Sequence, residues 1–334
     1  QYPDWQGAID MNASISGMLS DAGPTAKVAL NSLTGELRGL PIRGKGVVNV
    51  HPEEIKVEGL IIGSGDSEIR ADGKLGENSG LSWEIDVPDA SDLMPEASGR
   101  LVGRGMLQGP QTKPRISAQL EAKSLHALQF ALDQLAADLD VDLSSQRRSN
   151  IDLAGQGLMV GTQQISQLSV TVTGTLDAHE MEASVSHQQG QVRLTLHGGL
   201  KGELWMGLLQ RLSLQSDAFG NWDLERATAL TASATRASAD PLCMRRENAR
   251  LCAQGKWDNR DAQRQHASGS FEIAAFPLGW LQPLMPTEIQ SLEGELSASG
   301  NGELGTTLQA HADVHITPGK IVYLLPETGE VSLP

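Results

Sequence analysis

Apolar and polar residues alternate with period two along most of the 334 residues, the pattern of strands with one dry face and one wet face. Ile55, Val57 and then Leu60 lead into a Gly63-Ser64-Gly65-Asp66 turn. Ile69, Ala71 and Leu75 lead into a second turn rich in Gly, Asn and Ser, and Leu81, Trp83, Ile85 and Val87 follow. This succession predicts an antiparallel β-meander. The same alternation marks Leu139, Val141 and Leu143, the neighbourhood of Leu153, then Leu168, Val170 and Val172, and Val192, Leu194 and Leu196. Helical candidates are few. Leu125, Leu128, Leu132 and Leu135 fit a helix, while Leu128, Phe130 and Leu132 fit a strand equally well. The stretch Phe276 to Pro286 carries too many prolines for a strand and predicts a short helical turn across an end of the sheet. It marks a boundary between a continuous β segment over 1–275 and further hairpins over 287–334, with the turn occupying 276–286.

Repetition has no fixed period. Leu33-Thr34-Gly35-Glu36-Leu37, Leu200-Lys201-Gly202-Glu203-Leu204 and Leu292-Glu293-Gly294-Glu295-Leu296 share an L-x-G-E-L pattern, which suggests stacked, similar hairpins. The 36 glycines exceed the ordinary share, whereas aromatics make up 4%. A sandwich normally fills the space between its sheets with bulky side chains. Scarce aromatics therefore permit a long curved sheet with an aliphatic inner face, although pattern alone also suits two or three ordinary sandwiches.

Charge narrows the partners. A formal net charge of −15 repels nucleic-acid phosphates, so nucleic acid is not expected as a ligand. No apolar run approaches the roughly 20 residues of a membrane helix, and no signal-peptide pattern opens the chain. The chain starts without Met and stops in mid-pattern, so both ends read as cut from something longer. Cys243 and Cys252 are the only cysteines. If Glu247-Asn248 is a two-residue hairpin turn, the two face each other in a non-hydrogen-bonded pair where a disulfide fits. So short a loop would contribute about 3 kcal/mol in the chain-entropy model. The alternative is a pair of reduced thiols in a cytosolic protein.

The search for chemistry returns little. Gly300-Asn301-Gly302-Glu303-Leu304-Gly305 matches the dinucleotide G-x-G-x-x-G spacing, yet the alternation at Leu308, Ala310, Ala312, Val314 and Ile316 makes it hairpin punctuation. His311 and His315 would share a strand face without an obvious third metal ligand, and His179-Glu180, His187 and His197 obey no ligand spacing. No catalytic residue, metal or cofactor is expected. What remains is the dry face itself, an extended apolar surface that must be covered or used. Acyl chains could cover it at roughly 0.8 kcal/mol per buried methylene. A nascent β-strand could instead pair with an exposed sheet edge.

Several motifs occur in a telling order. Gly202-Glu203-Leu204-Trp205-Met206-Gly207-Leu208-Leu209 precedes Gly220-Asn221-Trp222-Asp223-Leu224, then Leu242-Cys243, then Leu251-Cys252-Ala253-Gln254-Gly255-Lys256-Trp257. This order resembles the middle of the TamB family (translocation and assembly module subunit), and Leu278-Gly279-Trp280-Leu281 to Gly302 looks AsmA-like. The resemblance implies an internal fragment of an all-β protein built as an elongated, curved antiparallel sheet, a β-taco or half-pipe with a hydrophobic inner groove. It further implies a periplasmic location, anchored to the inner membrane through a segment outside this piece. The implied partners are phospholipid acyl chains, the outer-membrane Omp85-type subunit TamA through regions outside this piece, and unfolded outer-membrane proteins. The expected role is non-enzymatic: conduction of phospholipid between the membranes in support of outer-membrane protein assembly, or a chaperone-like binding of unfolded outer-membrane strands. On this reading the groove is lined by Ile55, Val57, Ile69, Trp83, Ile85, Leu139, Val141, Leu153, Leu168, Val170, Val172, Val192, Leu194 and Leu196.

Overall fold

The structure is a computed structural model and describes residues 6–20, 23–260, 266–305, 307–325 and 329–333. Two compact units divide the chain, residues 1–176 and residues 177–334. Both are built from antiparallel β-sheet.

The first unit is a meander of eleven strands: β1 (Gly7–Ser20), β2 (Gly23–Leu37), β3 (Leu40–Val50), β4 (Ile55–Ser64), β5 (Ser67–Leu75), β6 (Gly80–Val87), β7 (Ser98–Gln108), β8 (Arg115–Ala127), β9 (Phe130–Asp142), β10 (Ser149–Val160) and β11 (Gln163–Thr175). Each pairs with its chain neighbour, so the order in space is the order in sequence. The segment around Leu125 to Leu135 is strand, not helix. Leu125 lies two residues before the end of β8, Leu128 sits in the hairpin turn at φ 54°, and Leu132 is buried on β9. As strands, β8 and β9 pair with each other and link β7 to β10, so the meander runs on without a break.

The second unit contains β12 (Ala178–His187), β13 (Gly190–Lys201), β14 (Leu204–Ser216), β15 (Gly220–Leu224), β16 (Thr228–Ala232), β17 (Arg236–Arg246), β18 (Ala249–Asp258), β19 (His266–Pro277), β20 (Ile289–Leu292), β21 (Glu295–Leu304), β22 (Leu308–Ile316), β23 (Ile321–Leu325) and β24 (Gly329–Leu333). Here β15 and β16 share the edge of β14 and both go on to pair with β17. A separate three-stranded sheet joins β20, β23 and β24.

Regular alternation is interrupted where glycine allows it. Gly46 (φ 148°) lies at the register shift between β3 and β4, and a Cβ there would stand 2.5 Å from the Leu60 Cα. Gly59 (φ 54°) makes the matching shift against β5, with its N–H donated to the Asp72 carboxylate at 2.7 Å. Such bulges add an unpaired residue to one strand and bend it, so they curve the sheet. The L-x-G-E-L segments do not form equivalent hairpins: the first ends a strand, the second is a turn between β13 and β14, and the third is the break between β20 and β21. Turn chemistry recurs there without a recurring fold position.

The helical turn expected over 276–286 is a 3-10 turn at Leu278–Leu284. A second, unexpected one at Ala90–Asp92 lies in the β6–β7 connection. Asp89 caps it by accepting the Ser91 N–H, and the Asp92 carboxylate accepts from the N–H groups of Asp66 and Ser67 and from the Ser67 hydroxyl at 2.8–3.0 Å. This tether folds the connection back, burying Val87, Ala90 and Ala97 against Ile85, Met94 and Leu101.

Candidate functional site

The register makes one face of the first unit apolar from edge to edge. One row runs Met11, Leu33, Gly44, Ile62, Ile69, Ile85, Gly103, Leu120, Ala137, Leu153 and Val170, one residue from each of the eleven strands. A second row contains Ala71, Trp83, Gly105, Ala118, Leu139, Ile151 and Val172, and a third Val28, Val48, Val57, Gly73, Leu81, Leu107, Ile116 and Val141. No charged residue stands in these rows. Most of their large side chains are half-buried, and Ile69 is 40% exposed. Half-burial is what a single layer produces; a sandwich would bury the same rows against a second sheet. Trp83 lies over Gly103 and Gly105 of β7, its ring 2.5 Å from where a Gly105 Cβ would be, which fills the width a side chain there would have taken.

The opposite face is charged. Arg43 meets Glu68 at 3.3 Å, Arg100 meets Asp86 at 3.4 Å, and Arg115 grips Asp140 with a bond from Nε at 2.7 Å. That contact lowers the Asp140 pKa from its ordinary value and raises that of Arg115. A depression of about 770 Å³ lies over this face, walled by side chains such as Arg70, Glu84, Arg104, Met106, Gln119 and Asp140 and floored by the backbone of the Trp83 row. Its walls sit one residue either side of that row, which places it on the charged side. Among the described residues no group of His, Cys, Asp and Glu could hold a metal ion, and no helix is long and apolar enough to cross a membrane.

The second unit repeats the division. Val185, Val192, Leu214 and Trp222 form one apolar row, Ala183, Leu194 and Leu212 the next, and Met181, Leu196 and Leu209 a third. A further row runs Met244, Leu251, Ile273, Ala298 and Val314. The 3-10 turn at Leu278–Leu284 closes over this face: Trp280 meets Trp222 edge-on at 5.7 Å and Phe276 at 5.5 Å, and Arg246 lies 3.7 Å above the Trp280 ring. Behind, on the polar face, Cys243 and Cys252 are directly opposite and form a disulfide with Cα atoms 4.1 Å apart. Glu247 takes φ 52° in the two-residue turn that sets this register.

A family model described as TamB, N-terminal domain, matches residues 1–328. The chain belongs to the TamB family. Its motifs had pointed to the middle of TamB, and the matched description names the N-terminal domain. TamB proteins are non-enzymatic components of the translocation and assembly module, work with TamA, and are membrane-anchored and periplasm-spanning. No solved structure matches this TamB chain.

Against the sequence-derived groove, the TamB structure puts Ile69, Ile85, Leu153 and Val170 in one row, Trp83, Leu139 and Val172 in the next, and Val57 and Val141 in the third. Ile55 opposes Leu75, and Leu168 opposes Gly155 beside Leu135. Val192, Leu194 and Leu196 share a face in the second unit, described separately. The histidines part company. His197 approaches Glu180 at 3.0 Å and Gln210 at 2.8 Å on the polar face, while His179 accepts the Trp205 indole N–H at 3.0 Å on the other. His311 meets Asp313 at 3.2 Å, and Gly300 to Leu304 lie within β21. Sequence reading missed Leu33, Ile62 and Leu120 in the long row, which only the pairings between strands bring into line. It missed the Trp222–Phe276–Trp280 cluster because the partners are up to 58 residues apart in sequence.

Proposed function

We propose that this chain is part of a lipid conduit: its charge-free faces carry the acyl chains of phospholipids between the inner and outer membranes, in support of outer-membrane protein assembly. The observation that carries the reading is the row of eleven apolar positions with no charge among them, crossing the first unit strand by strand. Acyl chains laid on such a face lose water contact at roughly 25 cal/mol per Å² on each partner. Near-equal aliphatic surroundings from one strand to the next leave no deep trap to stop movement. An inner-membrane anchor and the contact with TamA belong, on this reading, to parts of the protein outside the stretch described. The segments 1–275 and 287–334 would act as one β-taco body interrupted by the turn at 276–286.

A second reading, strand addition by unfolded outer-membrane proteins, is favoured by one feature. The outer edge of β1 pairs with no described strand, and Ile9, Met11, Ile15 and Leu19 on it are 50–85% exposed. Photo-crosslinkers at Leu153, Val170 and Leu194 separate the two. The conduit predicts lipid adducts at all three, and Leu153→Asp or Leu194→Asp should reduce capture at least tenfold with the β-sheet circular dichroism retained, since a charge among acyl chains is costly. Adducts with protein only would sink the conduit in favour of strand addition.

A further inference from the structure

Within the second unit, the described strand residues that face the apolar side are aliphatic, aromatic, small or neutral polar, with histidines at two positions on β12. Arg246 alone carries a fixed charge there. Alternation puts it on that side: Met244, two residues earlier, stands in the row with Leu251 and Ile273, and the Arg246 guanidinium packs on Trp280. Its side chain is 20% exposed. Gly220 makes the position available, since a Cβ there would stand 2.3 Å from the Arg246 Cζ.

A guanidinium offers five N–H bonds, and burying them without partners is expensive. Arg246 directs Nη1 to the Phe219 carbonyl at 2.5 Å, and the nearest carboxylate, on Glu247, is 4.0 Å from Nε, beyond hydrogen-bonding reach. The π face of Trp280 covers one side of the plane. Most of the donor fork is therefore left over, on a face that otherwise carries no positive charge, beside the row of Met244, Leu251 and Ile273. Arginine forks match phosphate oxygens in geometry and charge.

We infer that Arg246, held between Gly220 and Trp280, is an anchoring point for the headgroup phosphate of a phospholipid whose acyl chains lie on the adjoining apolar rows. The inference rests on the conduit reading and adds to it a recognised chemical group and a place. It commits to a lipid phosphodiester, because the aliphatic rows next to the guanidinium would have no role in holding free phosphate. The fork engages one phosphate oxygen pair, while Phe219 and Trp280 keep the guanidinium at the face instead of in solvent. A lipid stops there briefly, headgroup first, before its chains move on.

The test uses a photo-crosslinker at Leu251 in the intact protein, with diazirine-acyl phosphatidylglycerol and diacylglycerol of identical chains. The parent protein should capture the phospholipid about tenfold better, the scale of a charge-assisted hydrogen-bonded contact. Arg246→Gln should abolish that preference while leaving diacylglycerol capture unchanged. Arg246→Lys, which keeps the charge and loses the fork, should retain a two- to fivefold preference, and it carries the test should Arg246→Gln shift the tryptophan emission of the cluster. Equal capture of both lipids by the parent protein overturns the anchor and leaves the conduit standing. An equal loss of both lipids in Arg246→Gln and Arg246→Lys assigns Arg246 to holding the turn, and again overturns the anchor alone. Competition by millimolar inorganic phosphate without effect on diacylglycerol makes the site one for free phosphate. Capture of neither lipid by the parent protein removes the conduit and the anchor together.

Discussion

Two side chains show how local chemistry settles what alternation leaves open. Cys243 is fully buried, receives the Arg250 guanidinium at 3.3 Å, and is bonded to Cys252 across a two-residue turn. Replacing both cysteines by serine should lower stability by about 2–3 kcal/mol, through lost restriction of the unfolded chain. A urea midpoint measures this, and mass spectrometry of the non-reduced protein that found two free thiols would refute the pairing outright. Asp142 ends β9 and accepts from the Ser144 hydroxyl and from the N–H groups of Ser144 and Arg147 at 2.6–2.9 Å. These bonds hold its pKa below the ordinary 3.8. A depressed folded-state pKa means the stabilisation is complete above the unfolded value and is lost as pH falls through the folded one. Thermal stability should therefore decline below about pH 4, and less so in Asp142→Ala. At neutral pH that variant should already be weaker by about 1–3 kcal/mol, the cost of donors left without an acceptor.

At the scale of elements, bulges and aromatic covers decide which residues face which way. Glycine at the β3–β4 shift is required by a left-handed φ and by the approach of Leu60. Trp83 does the opposite job, covering glycines on β7 that leave the apolar face thin. Trp83→Ala should expose that strip and lower stability by about 2–3 kcal/mol, somewhat under the 3–5 typical of fully buried aromatics because Trp83 is half-buried. Chemical denaturation checks this, and an unchanged midpoint would mean the ring merely rests on the surface. The 3-10 turn at Leu278–Leu284 acts likewise for the second unit. Three of the chain's twelve Phe, Trp and Tyr residues meet there.

For the whole molecule, charge and edges act together. A net charge of −15 and a sequence pI of about 4.9 keep copies apart at neutral pH. The described outer edges of β1 and β22 carry Ile15, Leu19, Leu308 and Val314 at 65–85% exposure, the kind of edge that pairs with another chain when repulsion is removed. Light scattering should accordingly rise sharply as the pH approaches 5, and fall again on return to pH 7.5. Scattering independent of pH would show that the edges are covered.

How much was legible in the chain follows from the range of each interaction. Period-two alternation and glycine punctuation are local, so the all-β meander, the turn at 276–286 and the pairing of Cys243 with Cys252 could be read from residues close in sequence. The family was legible in the order of the Trp, Gly and Cys motifs. Faces were only half legible. Alternation says that Ile69 and Ile85 share a side, but a single bulge reverses every residue beyond it, and no local signal counts the bulges between Leu33 and Leu120. Only the tertiary structure joined eleven strands into unbroken apolar rows and gathered Trp222, Phe276 and Trp280. It alone set Arg246 on the dry face, because register across a sheet depends on pairings between residues that sequence keeps apart.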